Sequence, residues 1–201
     1  MNFPNGWLSG KQASYLAQLV RDVVGVEGGF LEVGSWHGRS SVVIGLEVKK
    51  LNSCLYCVDI WSKKMVGEEE KKRKKTIKAY RDMPDVAAIY FKGDSFLIFI
   101  ENIKVNGLGD TIIPVVGLSS TVRATWKIPL RFIFIDGNHE YEYVRDDSLW
   151  RQFLTIGGII AFHDYRRGSE VKKAVNEEMD NDSNFEMIGG IHNIKVFRRL
   201  K

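Results

Sequence analysis

No apolar run in this sequence approaches the roughly 20 residues that span a bilayer. Runs such as "FLIFI" and "FIFI" end after five and four residues. The first residues hold no basic segment followed by an apolar one, so no leader is expected, and the protein is predicted to be soluble and cytoplasmic. Repeats, low-complexity tracts and evident linkers are missing as well. Charged residues make up 27% of the chain and are interspersed with a 44% hydrophobic fraction, which excludes a disordered protein. Cysteine is scarce too. Cys54 and Cys57 spell a CxxC, but a zinc site would need a second pair and a redox CxxC would open a helix. "LYCVD" reads as a strand, so buried, reduced thiols are expected.

What is present fits one domain over 1–201, long enough to bury a substantial core. Apolar spacing alternates between helical and strand periods. Leu16, Leu19, Val20 and Val23 mark a first helix, about 9–25, that Gly25 stops. The strand "GGFLEVG", a helix from about Ser40 to Leu51 and the strand "LYCVDI" follow. A charged stretch from Ser62 to about Met83 is expected to be helical, and 62–90 is long enough to act as a lid over a reaction site. Asp94 and Ser95 cap a helix with the face Phe96, Phe99, Ile100 and Ile103, closed by Gly107. Then come strand "TIIPVVG", a short helix near Ser119, strand "RFIFID", helix "YEYVRDDSLWRQFLTI", strand "GIIAFHD", helix "SEVKKAVNEEM", and two strands in "FEMIGGIHNIKVFRR".

Alternating strands and helices with nearly continuous apolar strands predict an α/β fold, a doubly wound parallel sheet with helices on both faces. Such sheets bind ligands beyond the carboxyl ends of their strands. The polar residues that follow strands are therefore the candidates: Glu32 to Gly38, Asp59, Ser119, Asp136 to His139, and His163 with Asp164.

In "FLEVGSWHGRSS", Gly34 and Gly38 let the backbone turn tightly and let a ligand approach it. Ser40 and Ser41 open a helix whose N-terminus offers unpaired N–H groups. The turn is either a ligand cradle or a purely structural connection. It lacks the middle glycine of GxGxxG, so a pyrophosphate fits poorly. Glu32 suits a ligand that also carries positive charge, and Asp59 stands where an acid binds a ribose diol. A ligand with an amino-acid end, a ribose and no diphosphate matches S-adenosylmethionine.

"LEVGSWHGRS", Asp59, "IDGNHEYEYVRDD" and "GGIIAFHDY" together resemble class I S-adenosylmethionine-dependent methyltransferases. The resemblance is to the catechol and macrolide-sugar O-methyltransferase-like branch, methyltransferase family 24 type, and extends from about Ser9 onward. It implies a Rossmann-like seven-stranded sheet with the last strand antiparallel. It also implies that Glu32, Gly34, Ser35, Trp36, Gly38 and Ser40 surround the methionine part of the cofactor, Asp59 the ribose, and Ser95 and Ser119 the adenine end; Trp36 serves either there or in packing. Many members of this branch bind a divalent cation, here matched by Asp136, His163 and Asp164. His163 departs from the usual pair of acids, or acid and amide, and is either a ligand or a polar neighbour of the metal. In a metal-free site Asp136 would only orient the cofactor. His139 stands where similar enzymes carry a base.

The resemblance thus implies an enzyme that methylates a hydroxyl of a sugar, a catechol or a similar vicinal diol, with magnesium or a similar metal assisting. The implied partners are a small-molecule acceptor and a homo-oligomeric copy, with no membrane. Two other readings stay open. The formal charge is +4, and "KKRKK" (Lys71 to Lys75) could contact nucleic acid, although Glu68 to Glu70 precede it as on a solvated helix face. A non-catalytic S-adenosylmethionine-binding protein would keep the cofactor turn alone.

Overall fold

The computed structural model describes residues 3–61 and 95–201. The expected helix at 62–83, the lid over 62–90, the basic run Lys71 to Lys75 and the Asp94 cap lie outside the described residues.

Seven strands form one sheet in the order β3-β2-β1-β4-β5-β7-β6. They are β1 (Gly29–Val33), β2 (Leu55–Asp59), β3 (Ile112–Val116), β4 (Leu130–Ile135), β5 (Leu154–Phe162), β6 (Phe185–Ile191) and β7 (Ile194–Arg199). β1 to β5 pair in parallel, and β7 runs antiparallel to both β5 and β6. This is the Rossmann-like seven-stranded sheet with its last strand reversed. The strand order switches between β1 and β4, which extend the sheet in opposite directions, so the crevice opens beyond Val33 and Ile135.

Side-chain alternation along each strand divides the core into two layers. Phe30, Cys57, Phe132, Phe134 and Ala161 pack on one face with α1 (Gly10–Arg21), α2 (Arg39–Lys50) and α3 (Ser95–Val105). Leu31, Val33, Ile133, Ile135 and Phe162 face the other way, toward Trp126, which follows α4 (Ser119–Thr125), and toward α5 (Tyr141–Ser148) and α6 (Glu170–Met179). Among the described residues no helix is long and apolar enough to cross a membrane.

Three boundaries differ from the sequence expectation. α1 ends at Arg21, four residues before Gly25, although Val23 is still buried beneath it. The helix expected over "YEYVRDDSLWRQFLTI" stops at Ser148 and tightens into a 3-10 turn, Leu149–Phe153. The Ser148 hydroxyl donates to the carbonyl of Arg145 (2.7 Å), and Trp150 turns fully inward. Leu154 then already pairs with Leu130, so "LTI" belongs to β5. Finally, Cys57 is buried on β2 as expected, whereas Cys54 is only half-buried; both are free thiols.

A candidate active site at the carboxyl ends of the strands

The turn after β1 is shaped by two glycines in the left-handed region, both with φ +87°. At Gly34 a Cβ would lie 2.3 Å from the carbonyl oxygen of Asp136, so only glycine lets the ends of β1 and β4 touch there. Gly38 caps α2, and a Cβ there would lie 3.0 Å from the Phe99 ring. Between them Trp36 takes φ +43° and stacks on His37, with centroids 3.6 Å apart, and on Trp7 at 4.7 Å. Asp59, at the end of β2, accepts the Trp36 N–H through Oδ2 (2.9 Å) and the Trp61 N–H through Oδ1 (2.8 Å). One carboxylate thus ties the β1 turn to the chain leaving β2. Ser95 opens α3 beside this joint, its hydroxyl 3.5 Å from the Trp61 carbonyl.

Glu32 shares the face of Phe30 and is fully buried. Its Oε2 accepts from Ser35 (2.7 Å), Ser41 and Cys57 (3.4 Å), while Oε1 is buried without a hydrogen-bond partner. Burial pushes its pKa up, against the lowering effect of the surrounding Ser40, Ser41 and Ser35 hydroxyls. Ser35 and Ser40 are buried alongside. An orphaned acceptor at this depth is a group a ligand's donor could satisfy. Burial alone lowers the His37 pKa to about 4, leaving that ring neutral.

Asp136, His139, His163 and Asp164 come together beyond β4 and β5. His163 Nδ1 lies 2.9 Å from Asp136 Oδ1, and His139 Nε2 lies 3.2 Å from Asp164 Oδ2 and 3.8 Å from Asp136 Oδ1. Burial alone would raise the Asp136 pKa, but the two histidines hold it below the usual carboxylate range. The nearby carboxylates of Asp136 and Asp164 raise the His139 pKa against partial burial. Asp164 sits at φ +53°, a conformation Asp tolerates and one that clusters at functional sites.

Two residues that sequence reasoning did not find orient this cluster. The Gln12 side chain completes a capping box with Ser9 at the start of α1, accepting the Ser9 N–H through Oε1 (2.9 Å). Its amide nitrogen therefore faces His163 Nε2 (3.1 Å) and the Asn193 Oδ1, and Asn193 Nδ2 donates to Asp164 Oδ1 (2.7 Å). The Gln12 amide N–H makes His163 Nε2 an acceptor, so the proton sits on Nδ1 and points at Asp136. The acidic neighbours act to raise the His163 pKa against burial, but a second ring proton would set N–H against N–H at Gln12. Ser9-x-x-Gln12 was legible as a capping box; nothing local points from Asn193 to Asp164.

Ser119, expected at the adenine end, opens α4 and accepts the Trp150 indole N–H (2.8 Å). It also bonds the Asp147 carboxyl, whose pKa burial raises to about 6.

Residues 31–165 match the family described as "Methyltransferase domain". The chain belongs to this family. Solved structures agree in fold. The O-methyltransferase NovP is 21% identical over 95% of this chain and 80% of its own, with a TM-score of 0.72. The O-methyltransferase from Bacillus cereus in complex with SAH is 15% identical over 100% and 85%, with a TM-score of 0.66. TomG from Streptomyces achromogenes, an O-methyltransferase in complex with SAM, is 13% identical over 98% and 83%, with a TM-score of 0.65.

In this methyltransferase, donor atoms of Asp136, His163 and Asp164 lie within 4.8 Å of one another. Two carboxylates that converge on one point fit a hard divalent cation. The imidazole is already engaged at both nitrogens, by Asp136 and by Gln12.

Proposed function

We propose that this methyltransferase transfers the methyl group of S-adenosylmethionine to a hydroxyl of a small molecule, a sugar, a catechol or another vicinal diol, with a divalent cation assisting. The observation that carries the reading is the convergence of Asp136, His139 and Asp164 on the crevice formed where the β1 turn meets the end of β4. The SAM and SAH complexes of proteins with this fold support the cofactor.

In this reading Gly34, Trp36, Gly38, Ser35, Ser40 and the orphaned Glu32 oxygen hold the methionine end. Asp59 keeps lone pairs for the ribose, and Ser95 and Ser119 flank the adenine end. Asp136 and Asp164 would hold magnesium or a similar ion, with His163 as a polar neighbour that orients Asp136. Such an ion supplies a fixed position and a lowered pKa for the acceptor hydroxyl. The sulfonium needs no activation. As the acceptor oxygen bonds the methyl carbon, the carbon–sulfur bond breaks with its electron pair going to sulfur, and the proton passes to the His139 imidazole. Asp164 and Asp136 stabilise the imidazolium that results. The reading takes 1–201 as one methyltransferase domain acting in the cytoplasm.

Calorimetric titration with S-adenosylhomocysteine, with magnesium and then with chelator, tests the pocket: saturable one-site binding is expected, with a metal-dependent change. His139→Ala and Asp136→Ala should each lower turnover about 10²-fold or more, and His139→Ala should leave cofactor affinity intact. A flat titration, or full activity in either variant, sinks the assignment.

A further inference from the structure

We infer that the acceptor of this methyltransferase carries an anionic group, a carboxylate or a phosphate ester, held in the cleft between the start of α1 and the segment after β5. The inference rests on the function proposed above and narrows its substrate class.

The cleft has a volume of about 990 Å³, at the upper end of the range for small-molecule sites. Lys11, Arg166 and Arg167 line it, and none of its described lining residues is acidic. Arg166 is committed to Asp164. Lys11 and Arg167 make no ion pair among the described residues and stay exposed to the cleft. Two more cations stand behind its Tyr165 wall, the ammonium groups of Lys172 and Lys195 lying 5.5 and 5.3 Å from that ring's centroid. Cations gathered in a concave surface with no fixed counter-charge focus a positive potential into it and draw anions there.

The cleft adjoins the reaction centre at several points. Gln12 and Asn193 form part of its wall and touch His163 and Asp164 respectively, and Arg166 reaches Asp164. Trp7, another wall residue, stacks on Trp36 of the cofactor turn. A molecule seated here lies against Lys11 and Arg167 and is separated from His163 and Asp164 only by the side chains of Gln12, Asn193 and Arg166. A diol with an acidic substituent fits that position; the aromatic faces of Trp7 and Tyr165 suit its ring.

Matched probes distinguish charge from shape: protocatechuate against catechol for the carboxylate, and glucosyl phosphate against methyl glucoside for the phosphate. Each is titrated calorimetrically into the full chain, with and without S-adenosylhomocysteine, at low and at moderate salt. The anionic member of at least one pair should bind about tenfold tighter or better, since charge-assisted hydrogen bonds are the strong ones. Which pair shows it separates carboxylate from phosphate. Lys11→Met with Arg167→Met should abolish the preference, Lys11→Arg should retain it, and S-adenosylhomocysteine affinity should stay unchanged in all of them. Equal affinity in both pairs, no binding of any probe, or a preference that survives the double substitution overturns the inference. Failure of S-adenosylhomocysteine itself to bind would instead sink the proposed function, and the cofactor-free titrations would still read the anion preference.

Discussion

Gly34 joins the two halves of the site. Its positive φ disfavours any Cβ, and the Asp136 carbonyl stands where that Cβ would go. Gly34→Ala should therefore cost about 2–3 kcal/mol of stability through left-handed strain plus steric conflict. It should also weaken S-adenosylhomocysteine binding, because relief of the conflict separates the β1 turn from Asp136. Urea unfolding and calorimetry check both; an alanine variant as stable as the parent would show that the two strand ends are free to part. At this scale the candidate site was legible in proportion to its locality. Asp59, Asp136, His139 and Asp164 stood out because each follows an apolar strand, and strand ends define the crevice. Glu32 stood out for the same reason, yet the alternation that sends Phe30 inward also sends Glu32 inward beside Cys57. Gln12 and Asn193 were hidden because they meet His163 and Asp164 across 151 and 29 residues of sequence, and no spacing rule spans such distances.

Among the elements, α4, α5 and the 3-10 turn are bound through one buried hydrogen-bonded group: Ser119, Asp147 and the Trp150 indole. Burial raises the Asp147 pKa from an ordinary value of 3.8 to about 6, against the hydrogen bond from Ser119. The folded state therefore holds this proton more tightly than the unfolded chain. The stability it contributes is fully present below the unfolded pKa and is lost as pH rises through about 6, by on the order of 3 kcal/mol. Asp147→Asn has no charge to bury and keeps an acceptor for Ser119. Its thermal stability should match the parent near pH 4 and exceed it near pH 7. A variant less stable by the same margin at both pH values would show that the carboxylate is paid for by a partner such as Arg123. The 3-10 turn here also explains why the helix was overestimated: "SLWRQFLTI" keeps helical apolar spacing, but Leu154 gains a strand partner in Leu130, and pairing overrides spacing.

For the whole molecule, the sheet is sealed by two cores while its carboxyl edge stays polar, so a ligand there bridges elements that the cores fix separately. The turn after β1 rests on the α1, α2 and α3 side through Phe99, and Asp136 and Asp164 leave strands that also anchor the α5 and α6 side. A cofactor spanning Asp59, the glycine turn and Asp136 binds only where all three are in register, which is to say only to the folded state. S-adenosylhomocysteine at a hundredfold excess over its dissociation constant should then add about 2.7 kcal/mol to stability. For a chain of this size that is a rise of roughly 5–11 °C in melting temperature. The fold alone does not decide this, since the same sheet serves many chemistries; the rise requires the site. Scanning calorimetry with and without the ligand reads it, and Gly34→Ala supplies the internal control. Its apo form should melt lower and its ligand-induced rise should shrink, because the substitution opens the joint that the ligand would have to close. An undiminished rise in that variant would mean that the cofactor is held by the β1 turn and β2 without help from β4.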